Sequence, residues 1–194
     1  MKFFWVLSTV LPFLLLASCT SKSIRSHFAP VYLTNDKSIS ILPVNATAHL
    51  GQSTQHLEGQ YGEKSFTADA YIDASDSSFD IFIASGFGTT LAQLRYTQDS
   101  VSFTSSVFDT KKMQAEYVIA DFQICFADAQ LLKNHFASFG LTFEETPGGN
   151  PAAQDFERKI YDDKNLIMTV TKKNNQLKLI NSLRNYSYLI TVSQ

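Results

Sequence analysis

The sequence of 194 residues has little charge and few of the side chains that build metal sites. Lys and Arg number 16 against 18 Asp and Glu, which gives a formal net charge of −2. We therefore expect no basic surface and no binding of nucleic acid. The four histidines (His27, His49, His56 and His135) show no metal-ligand spacing, and only two cysteines are present. No metal site and no cofactor are predicted.

Catalytic signatures are missing as well. The chain has no G-x-S-x-G elbow, no phosphate-binding loop and no dinucleotide fingerprint. Cys125 lies among apolar residues in "FQICFA", a setting typical of a buried structural thiol rather than a nucleophile. The sequence therefore predicts a protein that is not an enzyme.

The N-terminus has the pattern of an export signal. Lys2 is followed by an apolar run over residues 3–16 and then by Ala17, Ser18 and Cys19. The run is short against the roughly 20 residues of a membrane span. A cysteine directly after Leu-Ala-Ser resembles the lipobox of bacterial lipoproteins. The resemblance implies that residues 1–18 are a signal peptide, removed on export, and that Cys19 carries acyl chains.

The residue after the lipobox bears on the location of the protein. Thr20 stands where an aspartate would retain an enteric-type lipoprotein in the inner membrane. The resemblance therefore implies an outer-membrane anchor facing the periplasm. Acylation of Cys19 would leave Cys125 as the only thiol, so no internal disulfide is expected.

Residues 19–40 are rich in serine and lack clean periodicity. We interpret them as a lipidated tether with a reach on the order of 25 Å, although part of this segment could dock as an extra strand. The folded domain is predicted to span residues 41–194.

Period-two alternation predicts strands in the first half of that domain. In "SFTADAYID" the side chains of Phe66, Ala68, Ala70 and Ile72 share one face, and in "SSFDIFIAS" those of Phe79, Ile81 and Ile83 do. Such runs are typical of half-buried antiparallel strands. Ala68 and Ala70 are small for core positions. They indicate either room for a guest or close packing under a helix.

The period then changes to that of helices. Met113, Tyr117, Ala120 and Ile124 recur at helical spacing, and "DAQLLKNHFASFG" predicts a second helix, with Asp128 as its cap and Gly140 at its end. Four further strands follow, in "AQDFERKIY", "NLIMTVTK", "NQLKLINS" and "YSYLITVS". The predicted fold class is α+β, with a single antiparallel sheet curled into an unclosed half barrel around about two helices.

One turn contains an unexpected side chain. In "SGFGTT", residues 85–90, Phe87 lies between Gly86 and Gly88, although glycines favour a tight turn whose tip faces water. Phe87 either projects toward a membrane or folds inward to cap the hydrophobic interior.

These elements together resemble LolB, the outer-membrane receptor of the lipoprotein-localisation pathway. The resemblance covers residues 50–139 and rests on the lipobox, "HLEGQYGEKSFTADAYID", the small-apolar-glycine turn, "AEYVIADFQICF" and the Leu-Leu pair of the second helix. The chain resembles still more closely an uncharacterised family of outer-membrane lipoproteins often encoded with aryl polyene biosynthesis. That family often has Trp-Pro after its first helix, where this chain has Phe126-Ala127.

The resemblance implies a LolA/LolB-like half barrel whose cavity takes the acyl chains of a lipidated cargo, either a lipoprotein or an aryl polyene-type lipid. Its implied partners are the outer membrane, the cargo and a periplasmic LolA-like carrier. Gly86, Phe87 and Gly88 fall on the loop that contacts the membrane in LolB. We expect six side chains to line the cavity: Phe66, Phe79, Ile81, Ile83, Tyr117 and Met168. The alternative function is that of a structural or assembly lipoprotein with a filled core and a protein partner.

Overall fold

A computed structural model describes residues 21–25, 27–107, 110 and 114–193. The predicted signal peptide, the predicted lipidation site Cys19 and Met113 lie outside the described residues.

The described residues form thirteen strands, and eleven of them make one large antiparallel sheet. Along the chain the strands are β1 (Ser21–Arg25), β2 (Val31–Tyr32), β3 (Ser38–Ile39), β4 (Gln52–Tyr61), β5 (Lys64–Ala74), β6 (Ser78–Ala84), β7 (Thr90–Thr97), β8 (Val101–Ser105), β9 (Thr142–Pro147), β10 (Phe156–Asp162), β11 (Asn165–Lys173), β12 (Gln176–Asn181) and β13 (Tyr186–Ser193). The order across the sheet is β1-β8-β7-β6-β5-β4-β13-β12-β11-β10-β9, and β2 pairs with β3 in a separate ribbon. The edge strands β1 and β9 do not pair with each other, so the sheet is unclosed.

The helices follow β8, as predicted. They are α1 (Ala115–Phe126) and α2 (Ala129–Ser138), and two 3₁₀ helices span Val44–Leu50 and Pro151–Ala153. The Asp128 carboxylate accepts a hydrogen bond from the Leu131 N–H at 2.9 Å, and Gly140 follows α2 with a φ of 71°. Both helix-end predictions are confirmed, as is the α+β class with one large, unclosed antiparallel sheet.

Helix α1 lies in the concave face of the sheet. The Phe122 ring contacts the Phe79 ring of β6, with 4.6 Å between their centroids. From the other half of the sheet, Tyr186 of β13 donates a hydrogen bond to Asp121 of α1 at 2.8 Å. Two strands that are far apart in the sequence therefore contact the same helix. This is possible because the twisted sheet curves around it.

The segment before β4 packs against this core. Val31, Leu33 and Ile39 are buried. The Gln123 side chain of α1 accepts a hydrogen bond from the Leu42 N–H and donates one to the Leu42 carbonyl, both at 2.8 Å. The packed part of the chain therefore begins before residue 41. Within the predicted tether, the stretch from Val31 to Ile39 contributes to the core, and β1 pairs with β8.

A buried arginine fixes the end of α1. The Arg158 guanidinium of β10 donates to the backbone carbonyls of Ile124, Cys125 and Ala127 at 2.6–3.0 Å and to Glu145 at 2.6 Å. The last carbonyls of a helix have no intrahelical partner, so this cation satisfies them and holds α1 to the sheet.

Candidate functional site

An apolar cavity of about 300 Å³ lies between α1 and the concave face of the sheet. Its walls come from β4 to β8, β12 and β13, and its floor from Val118, Phe122 and Cys125 of α1. Cys125 is buried, as the sequence predicted, and burial raises the pKa of its thiol.

Three alanines leave the space open. Ala68, Ala70 and Ala92 face the cavity and are each no more than 2% exposed. Across the sheet Ala70 pairs with Ile83, and Ile83 pairs with Ala92. Small side chains therefore lie on both sides of a large one. Ala68 and Ala70 therefore both border the cavity, beneath α1.

The structure brings three of the six predicted lining residues together. Phe66, Ile81 and Ile83 line the cavity, whereas Phe79, Tyr117 and Met168 are not among its lining residues. Phe79 is buried against Phe122, and the Tyr117 hydroxyl accepts a hydrogen bond from the Tyr32 N–H at 3.1 Å.

Met168 is buried in β11, outside the strands that form the cavity wall. Alternation identified the buried face of each strand. It carried no information on how far along that face the cavity extends.

Two polar residues of the cavity were missed from the sequence. The first is Asp121, whose carboxylate accepts hydrogen bonds from the Tyr186 hydroxyl at 2.8 and 2.9 Å. Burial raises the pKa of Asp121 to about 7, and the bond from Tyr186 acts in the opposite direction. The sequence signal that could have identified Asp121 is an acidic residue one helical turn after Tyr117, within an apolar helix face.

The second is Gln55 of β4. Its side chain faces the cavity and is only 1% exposed. Among the hydrogen bonds of the described residues, none involves the Gln55 side-chain amide. No pattern in the sequence distinguished this glutamine from the polar residues on either side of it, which are less buried.

Aromatic rings stand at one end of the cavity. Phe66 covers Gly59, its partner across β4 and β5, so closely that a Cβ at residue 59 would overlap the ring. Phe66 also contacts Tyr188, with 6.4 Å between the ring centroids. Phe66 is 37% exposed, so its ring forms part of the boundary between the cavity and solvent.

The loop between β6 and β7 projects from this end. Gly88 has a φ of 77°, and its N–H donates to the Ser85 carbonyl at 2.8 Å. Gly86 has no such φ, and a Cβ there would meet open space. Only Gly88 is therefore required by the turn. Phe87 is 100% exposed, so the loop does not fold inward over the core.

Further exposed apolar side chains lie at the same end of the sheet, which we term the apolar end and define by Tyr61, Phe87, Val107 and Leu183. Tyr61 ends β4, Val107 follows β8 and Leu183 lies in the turn between β12 and β13. They are 66%, 55% and 49% exposed respectively. The start of β1 lies there too, because Ser21 pairs with Ser105.

The described ranges lack two further features. Their helices include none that is both long and apolar enough to cross a membrane. Across the same residues, no group of three His, Cys, Asp or Glu side chains is placed to hold a metal ion.

Comparison with known proteins places the chain in a family. No curated protein shows a significant match. The sequence model of a family described as protein of unknown function, DUF3261, matches residues 52–194. The match begins at the first residue of β4 and includes every element that lines the cavity. The chain therefore belongs to the DUF3261 family.

Proposed function

We propose that this protein is an outer-membrane lipoprotein with a LolA/LolB-like half barrel, which holds an acyl chain and helps to receive or insert a lipidated cargo. The observation that carries the proposal is the apolar cavity under α1, together with a fully exposed phenylalanine at the same end of the sheet as the aromatic rings of the cavity. Cavities lined by hydrophobic side chains with a few polar groups are the usual sites of apolar ligands.

The size of the cavity limits what it can hold. A volume of about 300 Å³ is at the lower end of the range for small-molecule sites. We therefore expect it to hold one acyl chain at a time, rather than all the chains of a lipoprotein. The cargo would be a lipoprotein or an aryl polyene-type lipid, delivered by a periplasmic LolA-like carrier.

The position of β1 supports a defined orientation on the membrane. Ser21 is two residues after Cys19 and pairs with Ser105 at the apolar end. Acyl chains on Cys19 would hold this end, and Phe87 with it, against the bilayer. Insertion of one phenylalanine contributes roughly 1.5–3 kcal/mol, which is enough to orient a protein that is already anchored.

The proposal is tested by extracting the full chain from membranes and recording its native mass spectrum. We expect a noncovalently bound lipid of defined mass, in addition to the covalent acyl chains on Cys19. Protein that carries no such lipid, with a normal melting temperature, would contradict the proposal and favour the alternative of a filled core that binds a protein partner.

A further inference from the structure

The wall of the cavity contains a hydrogen-bonding group that makes no side-chain hydrogen bond to the described residues. Gln55 is 1% exposed and faces the cavity, and its amide takes no part in the hydrogen bonds of the described residues. Nearly all buried polar groups in folded proteins are hydrogen-bonded, and this amide keeps its hydrogen-bonding capacity for a group that enters the cavity. A polar atom that enters the cavity would supply the missing bond.

The surroundings of Gln55 place this group in the middle of the cavity wall. It pairs across the sheet with Ala70 on one side and Val192 on the other. The next inward residue of β4 is Leu57, opposite Ala68. Because Ala68 and Ala70 are small, a guest can approach the amide without displacing a large side chain.

We propose that the cavity selects an apolar chain that carries a neutral hydrogen-bonding group, such as a hydroxyl or an ester carbonyl, and that the Gln55 amide binds that group. This inference rests on the proposed function and adds the chemical class of the ligand. Gln55 is thus a specificity-determining residue.

The charges around the cavity favour a neutral group. None of the described residues that line it is Lys, Arg or His, so a carboxylate or phosphate would meet no counter-ion among them, at a large desolvation cost. Asp121, the one acidic side chain of the lining, would repel an anion further whenever it is ionised. An amide offers one acceptor and two N–H donors, which suits hydroxyl, ester and amide groups.

The state of Asp121 also disfavours a cationic ligand. Its two oxygens accept from Tyr186, and burial raises its pKa to about 7. Near neutral pH the carboxyl is therefore partly protonated and offers a cation less than a full opposite charge. A protonated carboxyl can donate to a neutral oxygen but offers no charge to an ammonium group.

The test uses photoreactive probes and the full chain in lipid nanodiscs. Five probes share one medium-length alkyl chain with a terminal diazirine and differ at the other end: methyl, hydroxyl, methyl ester, carboxylate and ammonium. Labelling of the cavity residues is measured against probe concentration for wild type and for Gln55→Met, a change that keeps the length of the side chain and removes the amide. Comparing the two proteins probe by probe cancels each probe's partition into lipid.

We expect the hydroxyl and ester probes to require about threefold to tenfold higher concentrations to label Gln55→Met than to label wild type, because one hydrogen bond is lost. Labelling by the methyl probe should be unchanged. The melting temperature of the free protein should be equal or higher, since the substitution removes an unpaired amide. A lower melting temperature would indicate a structural role for the amide and overturn the inference.

The outcomes separate this inference from the proposed function. Equal labelling of both proteins by every probe would refute the role of Gln55 and leave a lipid-binding cavity. A dependence on Gln55 confined to the carboxylate or the ammonium probe would refute the neutral class. Failure of all five probes to label the cavity of wild type would refute the proposed function, and the inference with it.

Discussion

Filling the cavity from its wall should separate an open binding site from a packed core. Ala70→Leu places a larger apolar side chain at the centre of the wall, where Ala70 is 2% exposed and faces the cavity. Thr67→Leu is the matched control. It introduces the same side chain on the same strand, at an exposed position.

The magnitude follows from the added apolar surface. Leucine adds about three methylene equivalents to alanine, and each contributes about 0.8 kcal/mol when buried. Allowing for some strain, we expect the free energy of unfolding to rise by about 1–2 kcal/mol. This corresponds to a rise of about 2–8 °C in the melting temperature of a domain of this size. In a filled core the same substitution would overpack and cost about 1–3 kcal/mol.

Urea unfolding and the recovery of bound lipid measure the two consequences separately. Both measurements use the full chain in detergent and compare wild type, Ala70→Leu and Thr67→Leu. We expect Ala70→Leu to be more stable and to lose most of its noncovalent lipid, and Thr67→Leu to match wild type in lipid content. A destabilised Ala70→Leu, or a stabilised one that keeps its lipid, would refute the cavity as the binding site.

Four further variants test the anchor, the loop, the buried acid and the helix clamp. Cys19→Ala should abolish palmitate labelling and retention in the outer-membrane fraction. If the variant stayed in that fraction and wild type took up no palmitate, the lipobox interpretation would be wrong. Phe87→Glu should leave the melting temperature unchanged, because a fully exposed side chain loses no contacts, and should weaken liposome binding about tenfold or more. Thr89→Glu is the charge-matched control. Equal liposome binding by wild type and both variants would contradict membrane contact by Phe87. Asp121 has a folded pKa of about 7, above its unfolded value. The free energy of unfolding of wild type should therefore decrease as the pH rises from about 4 to about 7, by on the order of 4 kcal/mol. Asp121→Asn should flatten that dependence in urea titrations, and an unchanged slope would exclude Asp121 as its source. Arg158→Met should lower the free energy of unfolding, measured with urea, by about 3 kcal/mol or more, because it leaves three carbonyls at the end of α1 and Glu145 without their cation. A loss below about 1 kcal/mol would contradict the role of Arg158 in holding α1.

Local patterns were sufficient for most of the secondary structure. Alternation in β5 and β6, the capping of α2 by Asp128 and the four C-terminal strands were all predictable, because each depends on neighbours within a few residues. β9 and the ribbon of β2 and β3 were not predicted. The ribbon strands have two residues each, and β9 has one buried position among its six residues, so neither shows a clear period.

The site required the tertiary structure. The sequence by itself determined that Ala68 and Ala70 share a buried face with Ile72, and that "SGFGTT" forms a turn. Only the curvature of the sheet decided that Ala92, Gln55 and Asp121 border the same space, since these residues come from different strands and from α1. The packing of residues 31–42 was decided in the same way: its partners, such as Gln123, lie some 80 residues further along the chain. Contacts between distant segments leave no period in a sequence, and so the space they enclose becomes visible only when the chain is folded.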